Sequence, residues 1–207
     1  MRKATMTRTK NPIAILVSDI HLSHHAPRYR RAEPDWYEAM ARHLRSLKRW
    51  QEELAVPVIC AGDVFHHWNS PPKLINFAIE MLPRQFISIP GQHDLPHHRL
   101  EAVKDSAYWT LMESRDKLLA RTYAVHLFPW GTTAEDSEVP TSRPAIALLH
   151  RYVCSSENAF PGAPLKSFVS EVQKEFWHYD LIISVSYTHL KMPTTLHECR
   201  SRWSPYH

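Results

Sequence analysis

The sequence predicts a layered α/β domain. Short apolar runs of strand length alternate along it with stretches of helical period, and four of the runs stop on aspartate, histidine or glycine. With 207 residues, 43% of them hydrophobic, the chain can bury its own core as one domain or one domain with an appendage.

The elements follow in order. "IAILVS" (Ile13–Ser18) has the unbroken apolar character of a strand covered on both faces. Asp35, with Glu38 three residues on, makes a capping box. From there Trp36, Met40, Leu44, Leu47, Trp50 and Leu54 recur at three and four as one face of a helix, which Pro57 ends. "VPVICA" (Val56–Ala61) is the second strand. Ser70, Pro71 and Pro72 open a helix that runs to about Leu82, and Gln85–Ile89 is the third strand. A third helix is expected from about Arg99 to Glu113. "TYAVHLF" and "AIALLH" are two more strands, "LKSFVSEVQKEF" a helix and "YDLIIS" a last strand. Taken alone, this alternation suggests a single parallel sheet with right-handed crossovers.

Charge and cysteine content narrow the classes of function. The net charge is +4, but residues 1–10 form a basic tail of +4 and residues 184–207 carry +2, which leaves −2 for 11–183. Overall basicity is therefore no evidence for a nucleic-acid surface, and only the local group Arg28, Arg30 and Arg31 points that way. Cys60, Cys154 and Cys199 are far apart and form no Cys-x-x-Cys pair, so reduced thiols in a cytoplasmic protein are expected. The apolar run Ile13–Val17 is too short to span a bilayer, and no membrane association is expected.

The strand ends carry the chemistry. The first strand runs into Asp19-Ile20-His21, the second into Gly62-Asp63-Val64-Phe65-His66, the third into Gly91-Gln92-His93-Asp94 and the fifth into His150. Ligand crevices of open α/β sheets lie outside the carboxyl ends of the strands, so these segments converge. Gly91 is expected to let the backbone turn where a Cβ would clash. Hydrolysing a phosphate ester near neutral pH needs an activated water and positive charge at the phosphoryl oxygens, which two cations roughly 3.5–4 Å apart supply. One carboxylate must bridge them, and Asp63 is placed there. Asp19 and His21 then complete the first cation site, and Gln92 and His150 serve the second. Mixed carboxylate, imidazole and amide ligands suit Mn²⁺ or Fe²⁺ and tolerate Zn²⁺.

"SDIHLS", "AGDVFHHWNSPP", "PGQHD" and "LLHRY" resemble, in order, the motifs of the calcineurin-like metallophosphoesterase superfamily. Leu22 after the first motif, and Gly-Asp-x-Phe-His with Pro71-Pro72 downstream, are most similar to the branch that holds the nuclease subunit of SbcCD-type DNA repair complexes and related phage phosphoesterases. The resemblance covers about Ile13 to Ser184. It implies a β-sandwich flanked by helices, two bound metals, His93 as the residue that stabilises the transition state or protonates the leaving oxygen, and His66 as the residue that orients it. Gln92 stands where the family has asparagine.

After "YDLIIS" the family places a Gly-His-x-His segment whose imidazoles ligate both metals, whereas this chain reads "VSYTHLKMPTTLHECRSRWSPYH". His189 and His197 lie too far apart to replace that pair, and "VSYTHLKMPTT" resembles the translated read-through of an adapter or vector junction. The organisation expected is thus a basic tail at 1–10, a partial metallophosphoesterase domain at 11–184, incomplete at its C-terminus, and a non-native tail at 185–207. His24, His25, His67, His97 and His98 are expected on loops near the mouth of the site. The resemblance implies a metal-dependent phosphodiesterase, a nuclease acting on DNA ends, with no readable docking segment for an SbcC-like ATPase partner. A phosphatase acting on small phosphorylated substrates, or an inert truncated metal-binding fragment, are the alternatives.

Overall fold

A computed structural model describes residues 12–115, 124–141, 145–155, 159 and 162–184. The basic tail at 1–10 and the segment 185–207, with His189 and His197, lie outside the described residues. Two three-stranded sheets organise the rest. The first contains β1 (Ile15–Val17), β2 (Val58–Cys60) and β3 (Phe86–Ser88) in that order, all parallel. The second contains β4 (Ala124–Phe128), β5 (Ala145–Leu149) and β6 (Leu181–Ser184), again parallel and in order.

Alternation along the strands divides each sheet between two partners. Val58, Cys60 and Phe86 pack against Leu44 and Leu47 of α1 (Trp36–Leu54), Leu74 of α2 (Pro72–Met81) and Leu111 of α3 (Ala107–Glu113). On the opposite face, Ile59, Ala61 and Ile89 meet Leu148 of β5, with Val125 and Ile183 beside them. The outer face of the second sheet, Phe128, Ala147 and Leu149, packs against Val172 of α4 (Val169–Glu175) and Phe176. The order of layers is helix, sheet, sheet, helix, so the single sheet suggested by alternation alone is replaced by a sandwich. An apolar strand face looks the same in sequence whether a helix or a second sheet covers it.

Local differences have local causes. In α1, Met40, Leu44, Leu47 and Gln51 are buried, while Trp50 and Leu54 are 39% and 44% exposed. Two successive steps of three residues rotate about 120° away from the buried face, whereas the step from 47 to 51 stays on it. Asp35 caps α1 by accepting from the Glu38 N–H at 3.0 Å, but the Glu38 carboxylate pairs with Arg45. The helix expected over Arg99–Glu113 is instead 3-10 turns at Pro96–His98 and Leu100–Asp105, followed by α3. Ser106 causes the break, because its hydroxyl accepts from the Trp109 N–H at 3.1 Å and starts a new helix. Ser70 does not cap α2, since its hydroxyl donates to the His67 carbonyl. No helix among the described residues is long and apolar enough to cross a membrane.

Leu148 is fully buried where the sheets meet and lies two residues before His150. Leu148→Ala should cost about 2–5 kcal/mol in urea unfolding. A loss under about 1 kcal/mol would show that the sheets hold together without this contact.

Candidate metal centre

The parallel pairing of β1 with β2 continues as a backbone ladder beyond both strand ends. Asp19 N–H donates to the Gly62 carbonyl at 3.0 Å, His21 N–H to Asp63 at 3.0 Å, Leu22 N–H to Val64 at 2.8 Å and His66 N–H to Leu22 at 2.9 Å. Along this ladder Asp19, His21 and Asp63 hold φ of +50°, +47° and +53°, a region that non-glycine residues seldom adopt. The turns re-aim these three side chains from the directions a regular strand would give them.

Two glycines let the turns close. Gly62 has φ +103°, and a Cβ there would strike the His150 ring and stand 3.0 Å from the Gly91 nitrogen. Gly91 is extended, at φ −91°, so its conformation does not demand glycine. Space does, because a Cβ on Gly91 would collide with the Asp63 carboxylate and lie 2.7 Å from His150 Cε1. The sharp turn expected at Gly91 is thus a close approach of three segments.

All five residues expected as ligands come together. Asp63 divides its oxygens: Oδ1 accepts the His93 backbone N–H at 2.9 Å, and Oδ2 lies 3.7 Å from His21 Nε2 and 3.5 Å from His150 Nε2. On one side, Asp19 Oδ1 is 3.8 Å from His21 Nε2. On the other, Gln92 Oε1 is 2.8 Å from His150 Nε2. Ligand atoms sharing one cation at about 2.0–2.2 Å stand roughly 3–4 Å apart, so the residues fit two cations with Asp63 Oδ2 between them. The longer side chain of Gln92 still brings its amide oxygen to His150.

The protonation states agree with this fit. Burial drives His21 down to about 4, which leaves its ring neutral near pH 7. At Asp63 burial opposes ionisation, but the adjacent His150 outweighs it and holds the carboxyl below its usual range. Burial would lower His150 as well, yet the Asp63 carboxylate overrides it and raises the ring above 6.5. Burial raises Asp19. The Nδ1–H of His150 donates to the Ala61 carbonyl at 2.5 Å, which leaves Nε2 to hold either a proton or a cation.

His93 and His66 lie on the His21 side. Ligand nitrogens of His21, His66 and His93 stand within 4.8 Å of one another, and the His66 and His93 rings stack at 5.5 Å. A carbonyl only accepts, so His93 Nδ1 donates to the His66 backbone oxygen at 3.1 Å. Both the His66 main chain, through this bond, and the His66 ring are thus in contact with His93.

Asp94 was not singled out by the motif pattern. It is fully buried and accepts N–H bonds from Val64 at 3.1 Å, Phe65 at 2.8 Å and Gly91 at 3.0 Å, tying the turn after β2 to the turn after β3. Burial, with the nearby Asp63 charge, pushes its carboxyl up to about 7 against those donors. The only sequence sign was a carboxylate directly after Gly91-Gln92-His93. Trp130 and Tyr152 were also missed; their rings stand 5.0 Å apart at His150, and the Tyr152 hydroxyl is 3.5 Å from the Gln92 amide nitrogen. Tyr152 closes the "LLHRY" motif, which could have pointed to it, whereas nothing in the local sequence marks Trp130.

Carboxylates and imidazoles gathered at the ends of parallel strands around one shared oxygen define a metal-dependent hydrolase centre. The sequence model of the calcineurin-like phosphoesterases matches residues 14–190, and the chain belongs to that family of metal-dependent phosphoesterases. A comparison with curated proteins gives no match.

Two outcomes follow. Asp94→Asn replaces an acceptor with an N–H₂ that faces backbone donors, so Mn²⁺ affinity should fall about 10–100-fold although Asp94 touches no cation position; unchanged affinity in a calorimetric titration would separate the clamp from the site. Because His150 is raised, its Nε2 proton must leave when a cation binds near neutral pH, while His21, at about 4, has none to lose. Titrations near pH 6.5 in buffers of different ionisation enthalpy should show that release, which fades as pH rises; equal heats would place no proton on His150.

Proposed function

We propose that the chain is a phosphodiesterase of the nuclease kind, acting on DNA with two divalent cations, Mn²⁺ foremost. The position of Asp63 Oδ2 between His21 and His150 carries this reading, because an oxygen there would be available to two cations of the kind that phosphoryl chemistry uses. Asp19, His21 and Asp63 would hold one, and Asp63, Gln92 and His150 the other. When bound, the pair supplies positive charge at the phosphoryl oxygens and lowers the pKa of water.

The protein groups do the rest. Asp63 Oδ1 holds the His93 main chain while Oδ2 faces the cation positions, so ligand and proton donor are set by one carboxylate. With Nδ1 engaged by the His66 carbonyl, His93 keeps Nε2 for the substrate, where it can give a proton to the leaving oxygen. Support for DNA comes from the likeness of the motifs to the nuclease branch, and from exposed Arg28 and Arg31 on the loop that begins at His21. The net charge of −2 over residues 11–183 favours a second reading, a small phosphorylated substrate.

Paired variants test the roles. Asp63→Asn should lose cation binding and hydrolysis together. His93→Ala should lower turnover by roughly 10²–10⁴ with the Mn²⁺ stoichiometry intact, and loss of metal would make it a ligand instead. Faster cleavage of p-nitrophenyl phosphate than of linear duplex DNA would favour the small-substrate reading.

A further inference from the structure

Beside the cation positions the molecule holds a pocket of about 210 Å³ whose lining includes Leu22, His24, His25, His67, Asn69 and Pro71. Leu22 and His67 directly follow His21 and His66, and the His66 and His67 rings are 4.4 Å apart, so the pocket opens beside His66, whose ring stacks at 5.5 Å on that of the proposed proton donor His93. Both walls are held in place. Trp36 Nε1–H donates to the Ser23 carbonyl at 2.8 Å, and His24 Nδ1 bonds the Tyr37 hydroxyl at 2.8 Å, which fixes one wall to α1. The other is tied by the Ser70 hydroxyl, which donates to the His67 carbonyl at 2.8 Å.

The lining selects the occupant. Among the described residues, histidine and carboxylate atoms grouped tightly enough for a cation fall on Asp19, His21 and Asp63 and on His21, His66 and His93, and none belongs to His24, His25 or His67. These three imidazoles line the pocket instead. Leu22 and Pro71 add apolar surface, and Asn69 brings an amide to the lining. The volume is below the roughly 300–1,000 Å³ of pockets for drug-sized ligands, which suits a single flat ring system. A planar ring with polar edges, attached to the phosphoryl group under attack, matches every wall.

We propose that this pocket is a nucleobase subsite, in which His25 and His67 stack on the base of the nucleotide next to the scissile phosphate. The assignment rests on the phosphodiesterase reading above. It makes the base a source of affinity without base-specific readout, because every base has a ring face.

The test uses the full chain at saturating Mn²⁺ and three probes: deoxyadenosine 5′-monophosphate, deoxyribose 5-phosphate and inorganic phosphate. The nucleotide should bind about tenfold tighter than the sugar phosphate, a gain typical of one stacked base. His25 and His67 are exposed, so His25→Ala and His67→Ala can be combined without opening the core. The double variant should bring nucleotide and sugar phosphate to within about twofold of each other and leave phosphate affinity unchanged. Equal binding of nucleotide and sugar phosphate in the parent, or an equal loss for phosphate in the variant, overturns the subsite alone. If none of the probes binds, the phosphoester reading falls and the subsite with it.

Discussion

The centre depends on two chain turns lying closer together than side chains would allow. Gly62 and Gly91 face each other, the Asp63 carboxylate and the His150 ring where any Cβ would collide. Asp94 then fastens the turns with three backbone N–H bonds. Without this approach, the Asp63 oxygen could not stand within 4 Å of imidazoles that come from different sheets. Positive φ at Asp19, His21 and Asp63 costs of order 1 kcal/mol or more each. The ladder from Asp19 to His66 offsets that strain and fixes the turns in one arrangement.

The sandwich supplies the second half of the geometry. Asp19, His21, Asp63 and Gln92 follow strands of the first sheet, and His150 follows β5 of the second. How His150 stands relative to Asp63 and His21 therefore depends on how the sheets pack through Ile59, Ile89 and Leu148. Packing the sheets also buries the ligands, and burial leaves His21 neutral while His150 and Asp63 stabilise each other's charge. The two imidazoles beside Asp63 thus differ: burial leaves the His21 ring free of its proton near pH 7, while the Asp63 carboxylate holds His150 toward its protonated form.

Much of this was readable in the residues, because local physics governs it. Short, mostly apolar runs marked the six strands of the described residues, and the helical stripe of Met40, Leu44 and Leu47 marked the buried face of α1. Asp19, His21, Asp63, Gln92, His93 and His150 stood out because polar ligands placed directly after apolar strands must gather at one end of a sheet. Their order along the chain was also enough to suggest the family.

Tertiary structure decided what depends on neighbours distant in sequence. An apolar strand face does not state what will cover it, so the choice between one sheet and two was made by the packing of Ile59 and Ile89 on Leu148. Gly91 announced a turn, but its reason is the Asp63 carboxylate 28 positions earlier in the numbering of the chain. The part Asp94 plays is likewise set at a distance, by its oxygens meeting the N–H groups of Val64 and Phe65. The sequence by itself determined which polar residues stand at the strand ends, since residue type and strand position are local. Only the fold determined which oxygen is shared, which proton is held and which glycine is needed, because each is a distance between segments that meet after the two sheets pack.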